Sequence, residues 1–332
     1  MKKIKVAVAM GGYSSEHAIS MKSGAVVCDA LDPNRYEIYP IHVTQQAWSY
    51  TSGDGKRQEV SMGNFSFFNG HEAIQPDVVF NTIHGAPGEN GYIAALCDLA
   101  KIPQTSTHFY AAALTFNKRD CLSVLKSFGI RCAESIYINQ GDAVSFEHIK
   151  TKLGLPFFIK PNRSGSSYGI SRVASKDEFA TALDKAFLED SEILIERALV
   201  GTEVSVGAYL YADQVHVLTP TEIVSENDFF DFEAKYHGKS SEITPARITS
   251  EETSAVQIAA KRIFEALKMT GVSRTDFILE NGYPYFIETN SNPGLSQESL
   301  VPKQVRYAGM TLSTFFDQLI DDALSRHQRT KL

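Results

Sequence analysis

Short, continuous apolar runs alternate with stretches of helical period through the first part of the chain. Residues 4–10 (IKVAVAM) predict a strand buried on both faces. A Gly/Ser loop follows, and then helical period over residues 19–31. Residues 36–43 predict a second strand, residues 51–58 a polar turn, and residues 77–83 a third buried strand. The loop 84–91 leads into a helix reaching about residue 99. This order is βαβ logic and predicts a mostly parallel sheet, with loops 11–16 and 84–91 at the carboxyl ends of strands, where ligands bind.

Beyond this the pattern changes. Residues 111–128 carry helical period as one helix that stops at Gly129. Residues 156–161 predict a strand, 162–169 a Gly/Ser loop, and 170–173 a return strand. A helix over 177–187 and a strand over 192–195 follow. Strands are predicted at 203–210 and 214–220, and a helix at 254–269. The polar, aromatic stretch 225–244 is too irregular for one element. Strands 275–280 and 283–289 meet at Asn281-Gly282, a strong hairpin signal. A closing helix runs over 312–325, and no internal repeat is present.

Composition narrows the class. The 332 residues are 43% hydrophobic and 21% charged, as in an ordinary globular protein. The formal net charge of −7 argues against a generic nucleic-acid binder, which needs a basic face. Cys28, Cys97, Cys121 and Cys132 form no C-x-x-C pair and read as buried free thiols of a reducing compartment. The N-terminal MKKIKVAVAM begins as a signal peptide does, but its apolar run stops at Gly11-Gly12, so it reads as a first strand. No run of about 18 apolar residues predicts a membrane span. The expectation is a cytoplasmic protein without membrane or nucleic-acid partners.

Three places carry candidate chemistry. Lys160 ends an apolar strand and precedes PNRSGSSYG, whose backbone N–H groups suit a phosphate; a surface turn with a solvated lysine is the competing reading. Glu288 and Asn290 share one face of a strand, and Asp276 on the paired strand can reach that face. Three oxygen donors without His or Cys suit Mg²⁺ rather than zinc. Arg274 and the turn at 290–294 add polar groups there. Glu16 either pairs with a ligand ammonium or caps the helix after it, and His84 reads as a structural hydrogen bonder rather than a catalyst. The first loop lacks G-x-G-x-x-G, which disfavours a dinucleotide fold.

Nine segments in this order resemble the D-alanine–D-alanine ligase family of the ATP-grasp superfamily. They are GGYSSEHAIS (11–20), HGAPGENG (84–91), NK (117–118), IKPNRSGSSYGISRV (159–173), IERALVGTEVSV (195–206), FDFEAKY (230–236), TPA (244–246), RTDF (274–277) and ETNSNPGLSQESLVP (288–302). The resemblance implies an ATP-grasp α/β fold of three domains: a substrate-binding domain with a mostly parallel sheet (1–112), a central ATP-grasp subdomain (113–198) and a metal-binding domain (199–332), the last two clamping ATP. It implies ligation of two D-alanines for peptidoglycan precursors through an acyl phosphate, with D-lactate or D-serine as alternative acceptors. Lys118 and Lys160 would hold the ATP phosphates, Glu196 and Glu203 adenosine, and Lys235 the γ-phosphate, with Ser167 also in the ATP site. Asp276, Glu288 and Asn290 would bind two Mg²⁺ or Mn²⁺ ions. Glu16, with His84 nearby, would take the first ammonium; Arg274 and the Gly294 N–H the oxyanion; Ser299 the second carboxylate. Ser166 and Tyr236 would link a closing lid at 225–244 to Glu16, and a homodimer is implied.

The chain departs from the commoner family pattern in places. GENG stands for GEDG, Asn117 precedes Lys118 where Asp is usual, and Ser164 replaces a Glu. Glu298 stands where His is common. The metal-site acids and Ser299 are kept, so the departures bear on affinity for the second substrate and on nucleotide-loop detail rather than on reaction class.

Overall fold

The computed structural model describes residues 2–165, 168–225 and 240–329. Strand Ile4–Gly11 lies inside the first sheet, parallel to the central strand Tyr36–Val43 on one side and to Val78–Asn81 on the other. Both faces are covered, which is why the first strand reads as an unbroken apolar run. On one face Ala7, Ala9, Ile41 and Val43 pack with Ile93. On the other Val6, Val8, Val78 and Phe80 meet Val27 and the last helix, Leu312–Arg329. The outer edge is antiparallel: Trp48–Thr51 and Arg57–Glu59 form a hairpin on Tyr36–Val43. The predicted polar turn is therefore the tip of that hairpin with strand on either side.

Backbone geometry draws the first two loops together. Gly11 and Gly12 have φ of +101° and +102°, and a Cβ on Gly11 would lie 2.6 Å from the Val43 carbonyl oxygen. Only glycine tolerates both the conformation and the approach. Ser20 Oγ accepts from Gly11 N at 2.8 Å and donates to Thr82 O at 2.9 Å, joining the ends of two parallel strands.

The middle of the chain forms an antiparallel sheet of Ser135–Asn139, Phe157–Pro161, Ser171–Val173 and Glu192–Arg197, backed by helices Phe146–Leu153 and Lys176–Glu189. The single helix expected over 111–128 is two, Phe109–Phe116 and Lys118–Ser127. Asn117 breaks it: its backbone is extended, and its side chain accepts from Asp120 N at 3.0 Å, capping the second helix. Lys118 thereby stands at a helix start instead of in a helix interior.

The third sheet has Thr202–Tyr211 at its centre, antiparallel to Thr221–Ser225 and to Val272–Glu280. Tyr283–Asn290 continues it beyond Val272–Glu280, and Ser240–Ile243 beyond Thr221–Ser225. The hairpin turn falls at Asn281 and Gly282, both at positive φ (54° and 78°), the conformation of a type I′ turn. Helix Ser250–Ala266 covers one face through Val256, Ala260, Ile263 and Phe264, and starts on a reciprocal Thr249–Glu252 capping box. Of the stretch 225–244, the two ends are strand, and residues 226–239 lie outside the described residues. The four cysteines are free, and among the described residues no helix is long and apolar enough to cross a membrane.

Candidate active site where the three sheets meet

The carboxyl-end loops of the first sheet, the loop after Pro161 and the open face of the third sheet enclose a cavity of about 300 Å³. Its floor is the hairpin of the third sheet. Arg274 pairs with Asn290 and Asp276 with Glu288 across the two strands. Cross-strand partners share a face, so all four side chains rise on one side. The strand Tyr283–Asn290 changes phase to achieve this. A bulge leaves Ile287 without a partner, since Asp276 pairs with Glu288 but Phe277 with Phe286. Phe286 and Phe277 therefore point into the core, while Glu288 and Asn290 point into the cavity.

The floor is a charge network. Asp276 accepts from Ser205 Oγ at 2.6 Å and from Arg274 Nε and Nη2 at 3.0 and 2.9 Å. Burial works against the Arg274 charge, but Asp276, Glu288 and Glu89 outweigh it and hold the guanidinium firmly protonated. Among the described residues, the buried Asn290 Oδ1 has no hydrogen-bond partner. An orphaned carbonyl beside two carboxylates is a donor set of oxygens alone, which fits a hard divalent cation.

The walls come from different elements. Lys118 Nζ donates to Ser164 O at 2.7 Å and lies 3.8 Å from Glu288 Oε2, so it spans from the loop after Pro161 to the floor. Glu16 occupies the cap position of helix His17–Ala30, yet its side chain makes no capping bond; it lines the cavity instead. The capping alternative is thus replaced by a cavity-facing carboxylate, one that would lie 3.0 Å from a Cβ on Gly165. His84 is buried, and among the described residues its Nε2 has no hydrogen-bond partner. Burial, opposed by Glu16 and aided by Arg274, lowers the pKa of this imidazole and favours its neutral form. Glu89 accepts from Gly85 N at 2.9 Å, and burial followed by the Glu16 charge raises its carboxyl to about 7.

One end of the cavity is the loop 291–299. Asn292 Nδ2 donates to Ile83 O at 2.7 Å, and Leu295 N donates to Ser23 Oγ at 3.1 Å, anchoring this loop to the end of strand Val78–Asn81 and to helix His17–Ala30. Ser299 precedes helix Leu300–Tyr307 without capping it and exchanges a 2.7 Å hydrogen bond with Ser296. Gly294 is held against it, since a Cβ there would lie 2.6 Å from Ser299 Oγ.

The residues singled out in the sequence fall into three groups. Glu16, His84, Lys118, Glu203, Arg274, Asp276, Glu288, Asn290, Gly294 and Ser299 line one cavity. Lys160 and Glu196 adjoin it as a buried pair at 2.7 Å, where Glu196, Glu288 and Glu203 together overcome the desolvation of the Lys160 ammonium. Ser166, Ser167, Lys235 and Tyr236 lie outside the described residues. Sequence reasoning passed over Ser205, Lys22 and Glu242, which also line the cavity. Ser205 was legible, two residues beyond Glu203 on one strand; Glu242 was hidden in the stretch read as irregular.

Comparison with known proteins gives a consistent picture. Residues 5–107 match the family model described as D-ala D-ala ligase N-terminus, and residues 124–321 match that of the C-terminus. A D-alanine–D-alanine ligase of Flavobacterium psychrophilum is 50% identical over 323 residues, covering 97% of this chain and 98% of the relative. Among solved structures, the VanG D-Ala:D-Ser ligase of Enterococcus faecalis is 30% identical with a TM-score of 0.87, covering 96% of this chain and 99% of its own. The D-alanine–D-alanine ligase of Bacillus anthracis complexed with ATP is 25% identical with a TM-score of 0.79, covering 98% and 99%.

Proposed function

The chain belongs to the D-alanine–D-alanine ligase family, and we infer that it joins two D-alanines into D-alanyl-D-alanine, converting ATP to ADP and phosphate. The observation that carries this reading is the cavity floor, where Arg274, Asp276, Glu288 and Asn290 share one face opposite Lys118 and Glu16. A carboxylate is a poor electrophile, so the first D-alanine is activated by taking the γ-phosphoryl group of ATP. The second D-alanine then attacks the acyl phosphate and releases phosphate.

Each side chain has a matching task. Glu16 offers a negative charge to the first ammonium, with neutral His84 beside it to meet the carboxylate undergoing activation. Lys118 and Lys160 neutralise phosphate, and Glu196 with Glu203 faces the adenosine. Asp276, Glu288 and Asn290 would hold Mg²⁺ or Mn²⁺, which when bound neutralises charge on the transferring phosphoryl group. Arg274, kept charged and fixed by Asp276, stabilises the tetrahedral oxyanion together with the Gly294 N–H. Ser299 and the first amides of helix Leu300–Tyr307 suit the carboxylate of the second D-alanine. Ser166, Ser167, Lys235 and Tyr236 keep their roles in phosphate binding and closure. This reading also places the protein in the cytoplasm as a homodimer, supplying the dipeptide for peptidoglycan.

Phosphate release from ATP, with product mass, is the direct test. D-Alanine should give the dipeptide, while L-alanine should not. D-Serine and D-lactate, offered beside D-alanine, read the acceptor. Turnover with L-alanine and none with D-alanine would overturn the assignment.

A further inference from the structure

Glu298 departs from the family pattern, and the structure gives it a partner. Lys303 Nζ lies 3.0 Å from Glu242 Oε2 and 3.4 Å from Glu298 Oε2. Both carboxylates line the cavity at the end where Ser296 and Ser299 stand. The three residues come from separate places: Glu242 from the edge strand Ser240–Ile243, Glu298 from the loop before Ser299, and Lys303 from the first turn of the next helix. That turn is itself tied to Ser299, since Lys303 N donates to Ser299 O at 3.1 Å. Lys22, on the helix facing this loop, is a further charged side chain of the same cavity.

We propose that Glu242, Lys303 and Glu298 form a charge clasp that docks the edge strand onto the acceptor loop and so sets the affinity for the second amino acid. The inference rests on the ligase reading and deepens it. Lys303 is a positioning residue, acting through Ser299 and the helix start. The two contacts are unequal. The Lys303 and Glu242 side chains are 31% and 24% exposed, whereas that of Glu298 is 86% exposed and screened by water. Glu242 therefore carries most of the hold, and Glu298 trims it. Because coupling between two equilibria is reciprocal, an acceptor bound at the loop also favours the docked strand.

The test compares Lys303→Met, Lys303→Arg, Glu242→Gln and Glu298→Gln with the parent, fitting initial rates to a rate law with two D-alanine sites. Lys303→Met and Glu242→Gln should raise the second-site KM about tenfold, with first-site and ATP KM values held within about twofold. Lys303→Arg keeps both contacts and should restore the parent value, and Glu298→Gln should shift the second-site KM by about twofold or less. Amide exchange in 240–243 and 299–303 should quicken in Lys303→Met and not in Lys303→Arg, a readout independent of substrate identity. An unchanged second-site KM and unchanged exchange in Lys303→Met would overturn the clasp. So would equal rises in all three KM values, which mark a general loss of structure. Failure of the parent protein to make the dipeptide would instead overturn the ligase reading, with exchange still judging the clasp.

Discussion

Two carboxylates of the cavity are chemically alike and environmentally opposite. Glu288 lies on the cavity floor 3.8 Å from Lys118, next to the orphaned Asn290 carbonyl. Replacing it by Gln keeps the shape and removes the charge, so phosphate release should fall roughly a hundredfold or more, with a higher Mg²⁺ requirement. A Mg²⁺ titration of both proteins checks this, and a residual rate within a few-fold at the same Mg²⁺ midpoint would refute the metal role. For Glu89, burial and the Glu16 charge outweigh the opposing pull of Arg274 and raise the carboxyl to about 7, above the ordinary value of 4.5. The sign follows directly. Between pH 4.5 and about 7 the folded state keeps a proton that the unfolded state has lost, so stability declines as pH rises through that window. Glu89→Gln retains an acceptor for Gly85 N and removes the titration. Unfolding of the metal-free protein in urea at pH 5 and pH 8 should show the variant gaining on the parent by on the order of 2 kcal/mol at the higher pH. An equal difference at both pH values would show that Glu89 ionises normally.

Helix and strand boundaries decide where these residues point. Asn117 stops one helix and caps the next, which sets Lys118 at the cavity wall. Asn117→Ala should cost about 1 kcal/mol, and Asn117→Asp should retain the cap, as thermal melts of both variants would show. The capping signal was present in the sequence, but the apolar period over 111–128 runs through it and hides the break. The hairpin and its turn were legible because Asn-Gly fixes the turn and alternation fixes the faces. The bulge at Ile287 was not, since nothing in alternation alone says that Phe286 and Glu288 lie on opposite sides. Strand Ser135–Asn139 and helices Phe146–Leu153 and Leu300–Tyr307 were missed for a related reason. Each is short, and what defines it is the neighbour it packs on. The cavity-lining acids were recognisable as residue types, whereas their convergence depends on register between strands distant in sequence.

At the scale of the molecule, one helix crosses the proposed domain division. The boundary at 198/199 assigns Leu312–Arg329 to the third sheet, yet its buried side chains face two sheets at once. Phe316 meets Phe80 of the first sheet edge-on at 5.5 Å, and Phe315 meets Tyr209 of the third edge-on at 5.1 Å. Asp317 and Asp321 pair with Arg35, just before the strand Tyr36–Val43. The first sheet therefore lacks part of its cover until the end of the chain has folded, and its stability is linked to that of the third. Phe316→Ala leaves a cavity between the two and should cost about 3–5 kcal/mol. The chain's one tryptophan, Trp48, is buried in the edge hairpin of the first sheet and far from the substitution in sequence, so it reports that sheet alone. In urea, Trp48 fluorescence and far-ultraviolet circular dichroism should shift together to lower midpoints in Phe316→Ala. A circular dichroism transition that moves while the Trp48 transition stays at the parent midpoint would mean that the first sheet stands without the last helix. The linkage between the two sheets would then be refuted.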